Sequence, residues 1–193
     1  MATFDQLPRP TELVHLMLKQ VISAGDLVID ATAGNGYDTL FLARCVGAAG
    51  RVLAFDLQLA ALEASRRLLE AADVTTKVEF FHESHSHLAD YVSPGTVAVV
   101  LFNLGYLPGS DQSIITTTAE TLIALEAALP ALRPGGWVCV VCYPGHDGGG
   151  DEASAVEGWM SSKGDELRVA RYGLVGTLRP APFLLAAVRR WTG

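Results

Sequence analysis

The sequence predicts an α/β fold: a seven-stranded, mostly parallel sheet between two layers of helix, finished by a C-terminal antiparallel hairpin. Three observations lead there. Short apolar runs of strand length alternate with stretches of helical period, the pattern of repeated βα units. The first run, Leu27-Val28-Ile29-Asp30, ends in a glycine turn, Gly34-Asn35-Gly36, that opens directly into a helical stretch. The last two runs, Leu167–Tyr172 and Phe183–Arg190, have no helix between them, and so short a gap permits only an antiparallel pair.

The elements follow in order. Thr11 can cap a first helix carrying Leu13, Leu16, Met17 and Val21 at helical spacing and stopping before Gly25. Leu27–Asp30 is the first strand, Tyr37–Val46 a helix, and Arg51–Asp56 the second strand. Leu59–Ala72 is helical, with Leu62, Leu68 and Leu69 as its buried stripe, and Val78–Phe81 is the third strand. Val97–Phe102 is continuously apolar, as a central strand covered on both faces should be. Thr118–Leu132 is helical and is stopped by Arg133-Pro134-Gly135-Gly136. Trp137–Cys142 is the fifth strand, and Glu152–Ser162 a helix that follows the flexible Gly148-Gly149-Gly150. Five βα units and a terminal hairpin resemble the Rossmann-like class I methyltransferase sheet. The Arg133–Gly136 turn resembles that fold's L-x-P-G-G turn.

Composition bounds the rest. The 193 residues suit one domain spanning 1–193. Half of them are hydrophobic and 18% are charged, which fits a sheet buried on both sides. No apolar run reaches the roughly 18 residues of a membrane span. The first residues, Met1-Ala2-Thr3-Phe4-Asp5, lack a signal pattern, so a cytoplasmic location without membrane contact is expected. Cys139 and Cys142 have C-x-x-C spacing but lie within a strand, where a separation of three puts them on opposite faces. A redox or zinc role is disfavoured. The net charge of −7 argues against a broad nucleic-acid grip. Either the substrate is small, or a local patch drawn from Arg66, Arg67, Arg168, Arg171, Arg179, Arg189 and Arg190 touches RNA. The apolar richness and the hairpin edge leave room for a homodimer.

The glycine turn is the strongest chemical signal. Backbone N–H groups and a positive helix end converge there. Asp56 closes the second strand twenty residues after Gly36, where such folds place a carboxylate for ribose hydroxyls, and Gln58 is a second ribose or adenine contact. A dinucleotide fingerprint wants a third glycine where Thr39 stands, and Asp30 at the strand end opposes a pyrophosphate. That carboxylate suits a cation. S-adenosylmethionine, with an amine, a sulfonium, a ribose and no phosphate, is the cofactor that fits. The bland reading is a plain strand-turn-helix corner with structural glycines.

In open α/β sheets ligands sit beyond the carboxyl ends of the strands. The fourth strand delivers Asn103-Leu104-Gly105-Tyr106-Leu107-Pro108-Gly109, which resembles the N-P-P-Y loop of methyltransferases acting on nitrogen, with Leu104-Gly105 in place of Pro-Pro. The amide oxygen of Asn103 can accept from a substrate amine and aim its lone pair, and Tyr106 offers a stacking face. The fifth strand delivers Tyr143-Pro144-Gly145-His146, placed to cover a substrate, with His146 able to orient it or accept a proton. His82, His85 and His87 invite a metal reading. Methyl transfer from a sulfonium needs no Lewis acid, so none is expected. Ser84 and His85 occupy instead the positions at which this fold contacts adenine.

The segments D-A-T-A-G-N-G-x-D-T, F-D-L-Q, S-H, F-N-L-G-Y-L-P-G and Y-P-G-H together resemble a small bacterial family labelled rRNA methylases, over roughly Asp30 to His146. The family includes a methyltransferase of the aminomethyl group on the tRNA wobble uridine. The resemblance implies S-adenosylmethionine as cofactor, held at Asn35, Asp38, Asp56, Gln58, Ser84 and His85, with the tRNA anticodon region as partner. The acceptor comes from the resemblance alone. An rRNA or small-molecule methyltransferase of the same fold is the alternative. From other classes stand an NAD-linked oxidoreductase and a catalytically silent binding protein.

Overall fold

Seven strands form one sheet: β1 (Leu27–Asp30), β2 (Arg51–Asp56), β3 (Lys77–His82), β4 (Val97–Asn103), β5 (Leu132–Cys142), β6 (Leu167–Gly173) and β7 (Phe183–Arg189). Their order is β3-β2-β1-β4-β5-β7-β6. The first five run parallel, and β7 pairs antiparallel with both β5 and β6. The computed structural model describes residues 7–105 and 117–191. The helices are α1 (Pro10–Leu18), α2 (Tyr37–Val46), α3 (Leu59–Ala71), α4 (Thr118–Ala131) and α5 (Gly149–Ser162), with a 3-10 helix over His85–Tyr91.

The layering follows from strand alternation. Ile29, Leu53, Phe55, Val100, Phe102 and Val140 face one way, packing against Leu88, Leu125, Ala128, Val156 and Met160 of the 3-10 helix, α4 and α5. Val28, Val52, Val99, Leu101 and Val141 face the other way, against Val14 and Leu18 of α1 and Leu42, Ala43 and Val46 of α2. Leu62 of α3 closes the second face over Ala33 and Ala54. Cys139 and Cys142 go to opposite layers, as the strand period requires. Both are free, and burial pushes each thiol up to about 12. No helix among the described residues is long and apolar enough to cross a membrane.

Three elements have a boundary more than one residue away from the sequence expectation. Helix α1 starts at Pro10, not after a Thr11 cap, and ends at Leu18. Proline suits the first helical position, and Glu12 reaches back to accept from the Arg9 backbone N–H at 3.0 Å. Strand β5 starts at Leu132, because that residue pairs with Val97 before the register shifts and resumes at Val99–Trp137. Helix α5 starts at Gly149 rather than Glu152. Gly148 takes the left-handed turn at φ +75°, and a side chain on Gly149 would meet the Tyr143 carbonyl at 2.3 Å. The three glycines are a tight helix entry, not a loose lead-in.

The chain winds from β1 outward to β3, then returns to the other side of β1 as β4. That reversal opens a crevice at the carboxyl ends of β1 and β4, where this architecture binds ligands.

Candidate active site

The segment after β1 is stitched to both neighbouring strands. The Ala31 N–H donates to the Leu101 carbonyl and the Ala33 N–H to the Phe55 carbonyl, each at 2.8 Å. Gly36 then caps α2 in the left-handed region at φ +85°. A Cβ there would lie 2.4 Å from Ser65 Oγ and 2.7 Å from Ser65 Cα, so α2 and α3 can approach only over a glycine. Asn35 is exposed at the tip of the turn and Gly34 lies behind it.

Four carboxylate and amide groups surround the crevice. Asp30, at the end of β1, is fully buried and accepts from the Thr32 N–H at 3.1 Å and the Thr39 hydroxyl at 2.5 Å. Burial, then the nearby charge of Asp38, pushes its carboxyl up to about 7. Thr39 holds the place of the third glycine in a dinucleotide fingerprint, and its hydroxyl is spent on that carboxylate. Asp56, at the end of β2, accepts from the Gly34 N–H at 2.8 Å and the Gln58 N–H at 2.9 Å, so one side chain spans the turn and the start of α3.

Asp38, buried in the first turn of α2, joins two other elements. Its Oδ2 accepts from Asn103 Nδ2 at 3.0 Å, and its Oδ1 lies 2.6 Å from His15 Nε2. A carboxylate offers only acceptors, so the Asn103 atom facing it must be the NH2 group. That leaves Oδ1 as the acceptor end of the amide. The Asn103 backbone N–H is anchored on Thr32 Oγ1 at 2.7 Å. Burial raises the Tyr143 phenol pKa, and the ring lies 3.3 Å from where a Gly105 Cβ would stand, beside the segment that leaves β4.

The remaining candidates distribute as follows. Ser84 is buried and its Oγ accepts from the Ser86 N–H at 3.3 Å and hydroxyl at 3.0 Å, starting the 3-10 helix. His85 is buried under the turn. Its Nδ1–H donates to the Ala31 carbonyl at 2.9 Å, and its ring meets Phe102 edge-on at 5.4 Å. Burial pulls its pKa down and keeps it neutral. His82 lies 3.0 Å from the Leu57 carbonyl and His87 bonds Glu83, so the three histidines diverge. No three metal-ligating side chains converge among the described residues. His146 sits near the entry of α5: its Nδ1 is 2.9 Å from the Asp147 carbonyl, and its ring approaches Gly149. Tyr106 lies outside the described residues.

Sequence reasoning assigned no site role to Thr32 or His15, marked Thr39 only as a missing glycine, and placed Tyr143 only within a loop over the substrate. The spacing of Asp30 and Thr39, one on a strand end and one on the first turn of the next helix, was a usable signal for the first pair. His15 and Tyr143 reach the site only through tertiary contacts.

The residues fit S-adenosylmethionine. A carboxylate pushed toward neutrality by burial first and by the charge of Asp38 second marks a place where a cationic ligand part relieves the cost of its charge. Asp56 keeps a lone pair on each oxygen for hydroxyl donors after its two backbone bonds.

Comparison with known proteins agrees. Residues 52–188 match the family described as "Putative rRNA methylase". A tRNA (mnm5s2U34)-methyltransferase of Arabidopsis thaliana, chloroplastic, is 43% identical over 162 residues, or 79% of this chain. The chain spans 59% of the length of that relative. A "putative rRNA-methylase" of Clostridium thermocellum superposes with a TM-score of 0.90 at 33% identity, covering 95% of this chain and 99% of that one. A "putative methyltransferase" of Streptococcus mutans, solved in complex with SAH, superposes at 0.84 and 33% identity with the same coverage. With strand order, turn and relatives in agreement, the chain belongs to this rRNA methylase family and carries the class I methyltransferase fold.

Proposed function

We propose that the protein is an S-adenosylmethionine-dependent N-methyltransferase that converts the aminomethyl group of the tRNA wobble uridine to methylaminomethyl. The observation that carries this reading is Asn103. Its nitrogen is committed to Asp38 and its backbone to Thr32, so the amide oxygen is held as an acceptor at the crevice between β1 and β4. The relative named for a tRNA wobble uridine supports the acceptor.

When bound, the cofactor supplies an electrophilic methyl group on sulfur. The protein's work is to place a neutral amine in line with it. Asn103 Oδ1 accepts one amine N–H and turns the lone pair toward the methyl carbon; orientation of this kind is worth orders of magnitude in rate. Asp30, Asp38 and Asp56 favour a cationic ligand through field and hydrogen bonds. Gly34, Gly36 and Asn35 bring backbone close to the bound group, with Gln58, Ser84 and His85 at the ribose and adenine end. Tyr143 packs its ring over the chain leaving β4 at Gly105. His146 on the same loop is the titratable group we assign to release of the amine proton, and Tyr106 the stacking face for the base. This reading places the enzyme with the cytoplasmic tRNA pool and its anticodon stem-loops.

The test is methyl transfer from labelled cofactor to bulk tRNA lacking the modification, followed by nucleoside mass analysis. A gain of one methyl on the aminomethyl uridine is expected. Label in rRNA or small molecules alone sinks the assignment. Asn103→Ala should bind SAH normally and lose on the order of a hundredfold or more in kcat.

A further inference from the structure

We infer that His15, on a helix outside the crevice walls, is a positioning residue for methyl transfer, acting through Asp38 to lock the amide of Asn103. The inference rests on the reading of Asn103 given above.

Three elements build the chain of contacts. Helix α1 buries Val14 and Leu18, four residues apart, against the sheet, so its position is set by the core. His15 follows Val14 and lies on the flank that meets α2. There its ring lies flat on Phe41, with centroids 3.9 Å apart and planes 6° from parallel. Phe41 and Asp38 stand three apart on α2 and so share one face. The stack therefore fixes the imidazole plane beside the carboxylate it must reach. Nε2 sits 2.6 Å from Asp38 Oδ1, and since a carboxylate only accepts, Nε2 carries the proton.

What this does to Asn103 follows from torsional freedom. The terminal torsion of an aspartate is soft and nearly two-fold. One partner on one oxygen leaves the group free to swing. Two partners on different oxygens, His15 on Oδ1 and Asn103 on Oδ2, fix it. A fixed Oδ2 fixes the NH2 group of Asn103, and a fixed NH2 group keeps the amide oxygen on the substrate side. Without His15 the carboxylate can swing away from Asn103 Nδ2, and the amide it anchored is then free to rotate, so its oxygen is no longer held at the place where the amine must be met. The nearby charge of Asp30 adds a reason for the carboxylate to move when its donor is lost.

Two substitutions separate this role from helix packing. His15→Phe keeps a flat ring on Phe41 and removes the donor. His15→Gln restores a donor without the ring. Both are compared with Asn103→Ala for kcat on unmodified tRNA and for SAH affinity by calorimetry. His15→Phe is expected to lower kcat about tenfold with SAH affinity within twofold of the parent, and His15→Gln to recover most of that loss. In the Asn103→Ala background His15→Phe should cost less than twofold, because the group it orients is gone. If His15→Phe keeps full kcat while Asn103→Ala loses it, the positioning role is overturned and the role of Asn103 stands. If both histidine variants lose activity equally, or lose SAH affinity in proportion, His15 is a packing residue and the inference fails. If Asn103→Ala itself turns over normally, the functional reading fails first.

Discussion

Asp30 and Asp56 close neighbouring parallel strands at the same edge of the sheet, yet they live under opposite conditions. Asp30 is fully buried beside a second carboxylate and answers to a backbone N–H and a threonine hydroxyl. Asp56 is partly exposed and accepts two backbone N–H groups, from Gly34 and Gln58. One carboxylate is held where its charge is disfavoured; the other is partly open to solvent and tied to two backbone amides. The difference divides labour within one crevice. In the function proposed above, the β1 end would favour a cation and the β2 end would supply an acceptor for hydroxyl groups.

The glycine turn between the two carboxylates is the place to break both at once. Gly36→Ala meets a positive φ and the Ser65 backbone together. It should cost about 2–4 kcal/mol, a fall in Tm of roughly 5–15 °C by differential scanning calorimetry. An unchanged Tm would mean that α3 gives way easily and the turn is not what sets the two ends apart. Next in size is Asp56→Ala. Losing charged acceptors for ribose should weaken SAH binding by on the order of 30–100-fold, about 2–2.7 kcal/mol. Because the group is partly exposed, Tm should fall by only a few degrees. Equal loss in Tm and in affinity would erase the contrast drawn with Asp30.

Asp30→Asn sharpens the comparison with the smallest effect. The carboxyl of Asp30 titrates at about 7 in the folded protein, above its ordinary value of 3.8. The folded state therefore holds a proton that the unfolded state has released between those values. Its contribution to stability is full below the unfolded pKa and is lost as pH rises toward 7. Asparagine removes that loss. The Tm of Asp30→Asn minus that of the parent should thus climb between pH 4 and pH 7 and level off above. A flat difference would show that the burial of Asp30 carries no protonation linkage. His85 tilts the parent the other way, since its pKa is lowered by burial and the unfolded chain gains its proton first as pH falls. The difference curve, rather than the parent curve, is therefore the measurement.

Most of the fold was legible because its determinants are local. Apolar runs such as Val97–Phe102 announce a strand buried on both faces, and all six residues are buried in β4. The missing helix before Phe183 forces the antiparallel finish, which β7 shows against both neighbours. The start of α1 moved for a local reason, Pro10 at the first helical position with Glu12 capping the Arg9 N–H, but two other boundaries moved through contacts outside their own pattern. β5 gains residues from Leu132 because Val97 is there to pair with it, and α5 gains a turn because Gly149 packs under the Tyr143 carbonyl.

The site divides along the same line. Strand ends, the glycine turn and the asparagine after the fourth strand are set by short-range pattern, because a parallel sheet delivers successive strand ends to one edge regardless of what lies between them. The partners of those groups are another matter. His15 meets Asp38 across 23 residues, His85 meets Ala31 across 54 and Asn103 meets Asp38 across 65. Residue identity names which groups can donate or accept. Which donor finds which acceptor depends on helices laid across strands by burial of apolar faces far from the chemistry, and no local pattern encodes that distance.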